Sequence, residues 1–165
     1  MTSGRYAHWT APLRARPALL RALLLANRLL TYAGYVLYPL LLVLVAASGD
    51  VAWLARTIAV PAASFAAVTL VRARLNRPRP YEVLGIDPLI HKDTQGKSFP
   101  SRHVFSMFMI AMSWLAWCAP VGMALLVLGA AMAVVRVLGG VHWPRDVVAG
   151  ALVGVICGIV GFWVL

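Results

Sequence analysis

Five apolar segments, Thr31–Ala47, Val51–Val71, Val104–Trp117, Val121–Leu138 and Val147–Leu165, restrict the fold of this chain more than any other feature. An apolar run that enters a bilayer must satisfy its backbone hydrogen bonds within itself, and a helix does so. Some of the runs fall slightly short of the ~20 residues that a perpendicular span needs. Hydrophobic residues make up 62% of the chain and charged ones 12%, which lies outside the balance of a water-soluble domain. The expected fold is an all-α integral membrane helical bundle of about five to six helices, five of them spanning.

Ahead of these runs, residues 1–17 read as a polar, interfacial tail carrying Arg5, Arg14 and Arg16, with no signal-peptide cleavage pattern behind it. Ala18–Leu30 is apolar but interrupted by Arg21, Asn27 and Arg28, so it is expected to form an amphipathic first helix, separate from a span that starts near Thr31. Pro61 should kink the second span, and the short Ala119-Pro120 turn should pack the third and fourth spans antiparallel. Gly150, Gly154, Gly158 and Gly161 give the last span a small-residue face for close helix contact. Cys118 and Cys157 lie in or beside apolar runs and read as small hydrophobes rather than a disulfide or metal pair. No internal repeat or low-complexity tract divides the 165 residues, so one membrane-embedded domain is expected.

The ionisable residues gather in two places, the long polar stretch Arg72–Ser101 and the turn Arg136–Asp146. Two spans separate them, so both lie on the same side of the membrane. Three short motifs can then converge at one interface: Arg72 with Arg79-Pro80, then Pro100-Ser101-Arg102-His103, then Arg136 followed by His142 and Asp146. Ionisable groups between membrane segments are costly to keep there and mark function more often than packing.

In order, spacing and placement the motifs resemble those of the type 2 phosphatidic acid phosphatase superfamily, the lipid phosphate phosphatases, whose pattern is K-x6-R-P, P-S-G-H and S-R-x5-H-x3-D. The resemblance covers the chain from about Val51 onward, and the three linked motifs are specific where any one alone is weak. The chain departs from the pattern at three positions. Arg72 stands in place of lysine, which keeps a cation and adds a planar fork for phosphate. Arg102 stands in place of glycine, where its side chain narrows the pocket or meets a second phosphate, and Val135 in place of the serine before Arg136 removes one hydroxyl.

Phosphoryl transfer needs a nucleophile, an acid for the leaving group and a cationic cradle. Asp146, four residues after His142, can hold one nitrogen of that ring so that the other attacks phosphorus, which makes His142 the candidate nucleophile. His103, from another span, is the candidate general acid. Arg72, Arg79 and Arg136 supply fork-shaped donors, and Ser101 and Arg102 lie where a helix opens with its positive end toward an anion. No metal-ligand spacing is present, and this chemistry calls for neither metal nor cofactor. The bland alternatives are arginines that snorkel to lipid headgroups, a capped helix at Asp146 and a satisfied interfacial His103. Lys92 and Lys97 read as a solvated loop face or as holders of a headgroup or second phosphate, and Trp143 as part of an aromatic belt.

A net charge of +10 raises the possibility of nucleic acid, which the apolar content makes less economical than an anionic bilayer surface. The expected partners are therefore a lipid phosphate substrate and the bilayer, with no nucleic acid. Two histidines and a carboxylate favour an enzyme over a headgroup-binding protein, which needs cations alone; a lipid-to-acceptor phosphotransferase would use the same residues. The resemblance implies hydrolysis of phosphatidic acid, phosphatidylglycerophosphate or a polyprenyl pyrophosphate such as undecaprenyl pyrophosphate, through a phosphohistidine. For bacterial members it also implies a plasma-membrane enzyme with an extracytoplasmic site. The many cations on the site's side favour the cytoplasm by the positive-inside rule.

Overall fold

The Thr2 hydroxyl caps the first helix by accepting the Arg5 N–H at 3.3 Å, and from there the computed structural model, which describes residues 1–165, is helical with no strand. The helices are α1 (Ser3–Ala15), α2 (Pro17–Ala47), α3 (Val51–Leu75), α4 (Pro80–Leu84), α5 (Arg102–Trp117), α6 (Ala119–Leu138) and α7 (Pro144–Ile159), the last continuing as a π turn over Val160–Val164. Pro17, Pro80, Pro120 and Pro144 sit in first turns, where a missing N–H costs nothing and a fixed φ favours the helix. Asp50 starts α3 by accepting the Trp53 N–H at 2.8 Å.

Four helices, α2, α3, α6 and α7 with its π turn, are long and apolar enough to cross a membrane. The expected fifth, α5, has only 16 residues and forms the axis of the bundle. Its side chains enter all three apolar clusters: Val104 and Met107 meet Leu30, Met132 and Val147; Phe105 and Met109 meet Val68 and Phe162; Ala111 and Trp114 meet Leu41 and Leu125. The outward faces carry exposed Leu29, Val43, Ile58, Val127, Leu152 and Ile156, a girdle suited to lipid rather than water.

The small-residue face of α7 lies against α5. A Cβ at Gly150 would stand 2.6 Å from the Ser101 carbonyl oxygen, one at Gly154 2.9 Å from that of Phe105, and one at Gly158 2.4 Å from the Met112 Cβ. Close approach of these two backbones fixes how the start of α5 meets the start of α7.

Two N-terminal expectations need correction. α2 is one continuous helix of 31 residues, not an amphipathic piece followed by a span at Thr31. The polar residues at the expected boundary are served without breaking it: the Thr31 hydroxyl donates to the Asn27 carbonyl at 2.8 Å, and the Asn27 side chain accepts from Arg136. The N-terminal tail is the helix α1, docked on the loops. Buried Tyr6 donates its hydroxyl proton to the Leu138 carbonyl at 3.2 Å and accepts the Leu89 N–H at 3.2 Å, while Arg14 pairs with Asp87 at 3.0 Å. Cys118 and Cys157 are free and half-buried.

Candidate active site

The long loop between α4 and α5 and the short turn between α6 and α7 meet at one end of the bundle. The Ile90 N–H donates to the Gly139 carbonyl at 3.0 Å, the Ser101 N–H to the Asp146 carbonyl at 2.8 Å, and Arg79 Nη1 to the Val141 carbonyl at 3.1 Å. All three motifs therefore face one another, as their placement on one side of the membrane allows.

At the centre lies His142, 1% exposed, just ahead of α7. Its Nδ1 stands 3.7 Å from Asp146 Oδ2 and 3.5 Å from the Ser98 hydroxyl, which itself donates to that same carboxylate oxygen at 2.5 Å. Asp146 also accepts the Trp143 N–H at 3.1 Å, so it caps α7 and faces His142 at once. Burial, with Arg136 and Arg79 adding to it and Asp146 opposing it, holds the His142 ring down at about 4. At neutral pH the imidazole is thus uncharged, the form in which a ring nitrogen has a lone pair to give.

The cations around it are anchored by carbonyls rather than carboxylates. Arg72 Nη1 donates to the carbonyls of Ser98, at 3.3 Å, and of Pro100, while Arg79 Nε donates to that of Gly96 at 3.0 Å. A carbonyl orients a guanidinium without neutralising it, and Nη2 of each has no protein acceptor. Arg136, 2% exposed, donates through Nη1 to Asn27 Oδ1 at 3.0 Å and lies 3.1 Å through Nη2 from His103 Nδ1. Arginine only donates, so His103 Nδ1 is the acceptor here and its ring proton lies on Nε2. Buried Ser101 Oγ, Arg136 Nε and Asp146 Oδ1 have no protein partner. The backbone N–H groups of Arg102, His103 and Val104, which open α5, find no backbone carbonyl either.

Arg102 is placed differently from the other basic residues of the motifs. It is exposed and stacks its guanidinium over Phe65, 5.3 Å from the ring centroid, at the mouth of an apolar cleft of about 440 Å³. Between α2, α3 and α5 that cleft is lined by Leu30, Gly34, Tyr38, Phe65 and Met107, and His103 forms part of its wall. Trp143 donates its indole N–H to the Pro78 carbonyl at 3.0 Å, which ties the turn to the loop.

A family model of the PAP2 superfamily matches residues 50–165, the stretch that carries all three motifs. The chain belongs to the PAP2 superfamily. Among solved structures, that of Aquifex aeolicus LpxE is similar, with a TM-score of 0.68, 28% identity, and coverage of 89% of this chain and 94% of the other. A PAP2-type phosphatidylglycerolphosphate phosphatase from Bacillus subtilis shares the fold, with a TM-score of 0.59 at 22% identity over 94% of this chain and 86% of the other. The bacitracin transport permease protein BcrC of Bacillus licheniformis is 41% identical over 66 residues, 40% of this chain and 32% of that protein. The putative undecaprenyl-diphosphatase YbjG of Escherichia coli is 40% identical over 80 residues, 47% of this chain and 39% of that protein. In these matches the chain spans about a third to two-fifths of its curated relatives' length.

Two residues of this PAP2 site escape sequence reasoning. Ser98 lies in a polar loop outside every motif, and only the folded loop carries it to Asp146. Asn27 lies ahead of the stretch that the family model matches, and its one visible signal is an amide inside an apolar run.

Proposed function

We propose that this chain is a membrane phosphatase that hydrolyses a lipid phosphate, monoester or diphosphate, through a phosphohistidine on His142. The observation that carries the proposal is a buried imidazole whose Nδ1 faces Ser98 and Asp146, set among three arginines that no carboxylate pairs with. Nε2 of His142 attacks phosphorus, and Arg72, Arg79 and Arg136 hold the equatorial oxygens. The bond from phosphorus to the leaving oxygen breaks, and that oxygen takes a proton from His103. A substrate dianion draws the Arg136 fork away from His103, which frees Nδ1 for a second proton and turns the ring into an acid. Water then attacks the phosphohistidine, His103 takes its proton, and orthophosphate leaves.

The apolar cleft that includes His103 in its wall supports a lipid as the leaving group, since it places apolar space beside the acid between helices that face the bilayer. The cations fill the role that a metal has in other phosphatases, so the reaction proceeds without one. The enzyme works in the bacterial plasma membrane with its site on the extracytoplasmic side, and the arginines at that face are held by chemistry rather than set as topology signals.

Phosphate release from lipid phosphates in detergent micelles tests this reading. The wild-type chain should release phosphate at the same rate with and without a chelator, and His142→Ala should release none. Activity that a chelator abolishes and magnesium restores would overturn the metal-free mechanism.

A further inference from the structure

A second cavity, of about 330 Å³, adjoins the apolar cleft and shares Thr31, Tyr35 and His103 with it. Besides Thr31, its polar lining is Asn27, Arg28, His91, Lys92, His103 and Arg136; Arg72, Arg79 and His142 do not line it. No carboxylate lines it, and Arg28, Lys92 and Arg136 take part in no ion pair. Cations gathered without a counter-charge raise one another's energy, and an anion relieves them.

The place of His103 in its wall says which part of a substrate would occupy the cavity. His103 protonates the leaving oxygen in the proposed mechanism, so a space that His103 lines and His142 does not lies on the leaving-group side. A monoester such as phosphatidic acid or a prenyl monophosphate has an uncharged alcohol as its leaving group, which gives these cations nothing to neutralise. Phosphatidylglycerophosphate carries its second anion three carbons beyond the leaving oxygen rather than directly on it. The leaving group of a diphosphate is a lipid monophosphate, whose charge the cations match and whose tail the adjoining apolar cleft accepts.

We propose that this cavity is a second phosphate site, in which Arg28 and Lys92 bind the lipid-linked phosphate and select a lipid diphosphate over a lipid monophosphate. The proposal rests on the phosphatase reading above. His142 attacks the terminal phosphorus, the bridging P–O bond breaks, and the bridging oxygen takes the His103 proton. The products are the lipid monophosphate, held in the cavity, and the phosphohistidine, which water converts to orthophosphate. Burial first, then Arg136 of α6, Arg79 of the loop, Arg102 of α5 and Arg72 of α3, lower Lys92 to about 8. Arg28 of α2, His91 and His103 line the same space. Lys92 thus holds its charge below pH 8 and loses it as pH rises through that value.

The test compares farnesyl diphosphate with farnesyl monophosphate on the full chain in detergent. Lys92→Gln and Arg28→Gln should each lower the ratio of kcat/KM for diphosphate to that for monophosphate about tenfold, the effect of one charge-assisted contact. Lys92→Arg should restore the ratio and remove the fall in diphosphate kcat/KM as pH passes 8. Equal losses on both substrates, or no change in the ratio, would overturn the second site. A loss shared by both substrates and seen only in micelles that contain phosphatidylglycerol would assign the cations to bulk anionic lipid instead. Calorimetric binding of inorganic pyrophosphate and orthophosphate reads the site without turnover. Wild type should bind pyrophosphate more tightly, and Lys92→Gln should weaken pyrophosphate about tenfold while orthophosphate moves less. If wild type hydrolyses neither lipid yet shows this binding pattern, the phosphatase reading fails and the second site stands; equal affinities for the two anions overturn the site.

Discussion

His142 and His103 stand in one site beside groups of opposite charge, and the proposed mechanism gives them different work. Next to the His142 Nδ1 are a carboxylate and a hydroxyl, next to the His103 Nδ1 a guanidinium. A nucleophile cannot be spared by a better leaving group, whereas a general acid largely can. With an activated aryl phosphate, single-turnover release of the aryl alcohol should survive to a large extent in His103→Ala and vanish in His142→Ala. Equal loss in both folded variants would reverse the assignment. The spacing of the three motifs together with their resemblance to the family pattern singles out both histidines, Asp146 and the three arginines in the sequence, because each motif puts its residues at the end of a helix. It cannot reveal that a Ser98 hydroxyl bridges toward His142 and Asp146, since a serine in a polar loop has no period or partner until the loop folds. Nor does it place Arg102, which stacks on Phe65 at the cleft mouth instead of joining the other arginines.

Among the elements, the α5 and α7 pair fixes the site. Gly150 lets the start of α7 lie on the Ser101 carbonyl, and Ser101 and Asp146 belong to different helix starts joined there by a backbone hydrogen bond. Gly150→Ala would press a Cβ to 2.6 Å from a backbone oxygen, which no side-chain rotation relieves. It should lower stability by roughly 1–3 kcal/mol, the cost of overpacking, and shift His103 with α5. Thermal unfolding in detergent and phosphate release would both register the change. Gly4→Ala, where nothing lies within 4 Å, should alter neither, and equal behaviour of the two variants would contradict this account of the helix contact. Close packing of the last helix was legible in its glycine spacing, but neither α5 as its partner nor the continuity of α2 was. Arg21, Asn27 and Arg28 mimic a boundary in a local window, whereas Asn27 answers to Arg136 on α6, far along the chain.

On the scale of the whole molecule, α1, both loops and every motif residue gather at one end of the bundle, while Arg56 bonds the Leu165 carbonyl at the other, at 2.9 Å. Thr94 is exposed in the site-side loop, so Thr94→Cys should react with an impermeant thiol reagent in intact cells, above the background of half-buried Cys118 and Cys157. Labelling only after lysis would put the site in the cytoplasm. A PAP2 fold brings residues from three remote segments around one imidazole, and the central claim is that this imidazole carries the phosphoryl group. Rapid alkaline quench of the chain reacting with a lipid phosphate labelled at the transferred phosphorus, followed by peptide mass spectrometry, tests that claim most directly. The account predicts an acid-labile, alkali-stable phosphoryl group on His142 that forms and decays at rates compatible with turnover and is absent from His142→Ala. Full turnover by His142→Ala, or label on any other residue, would contradict it.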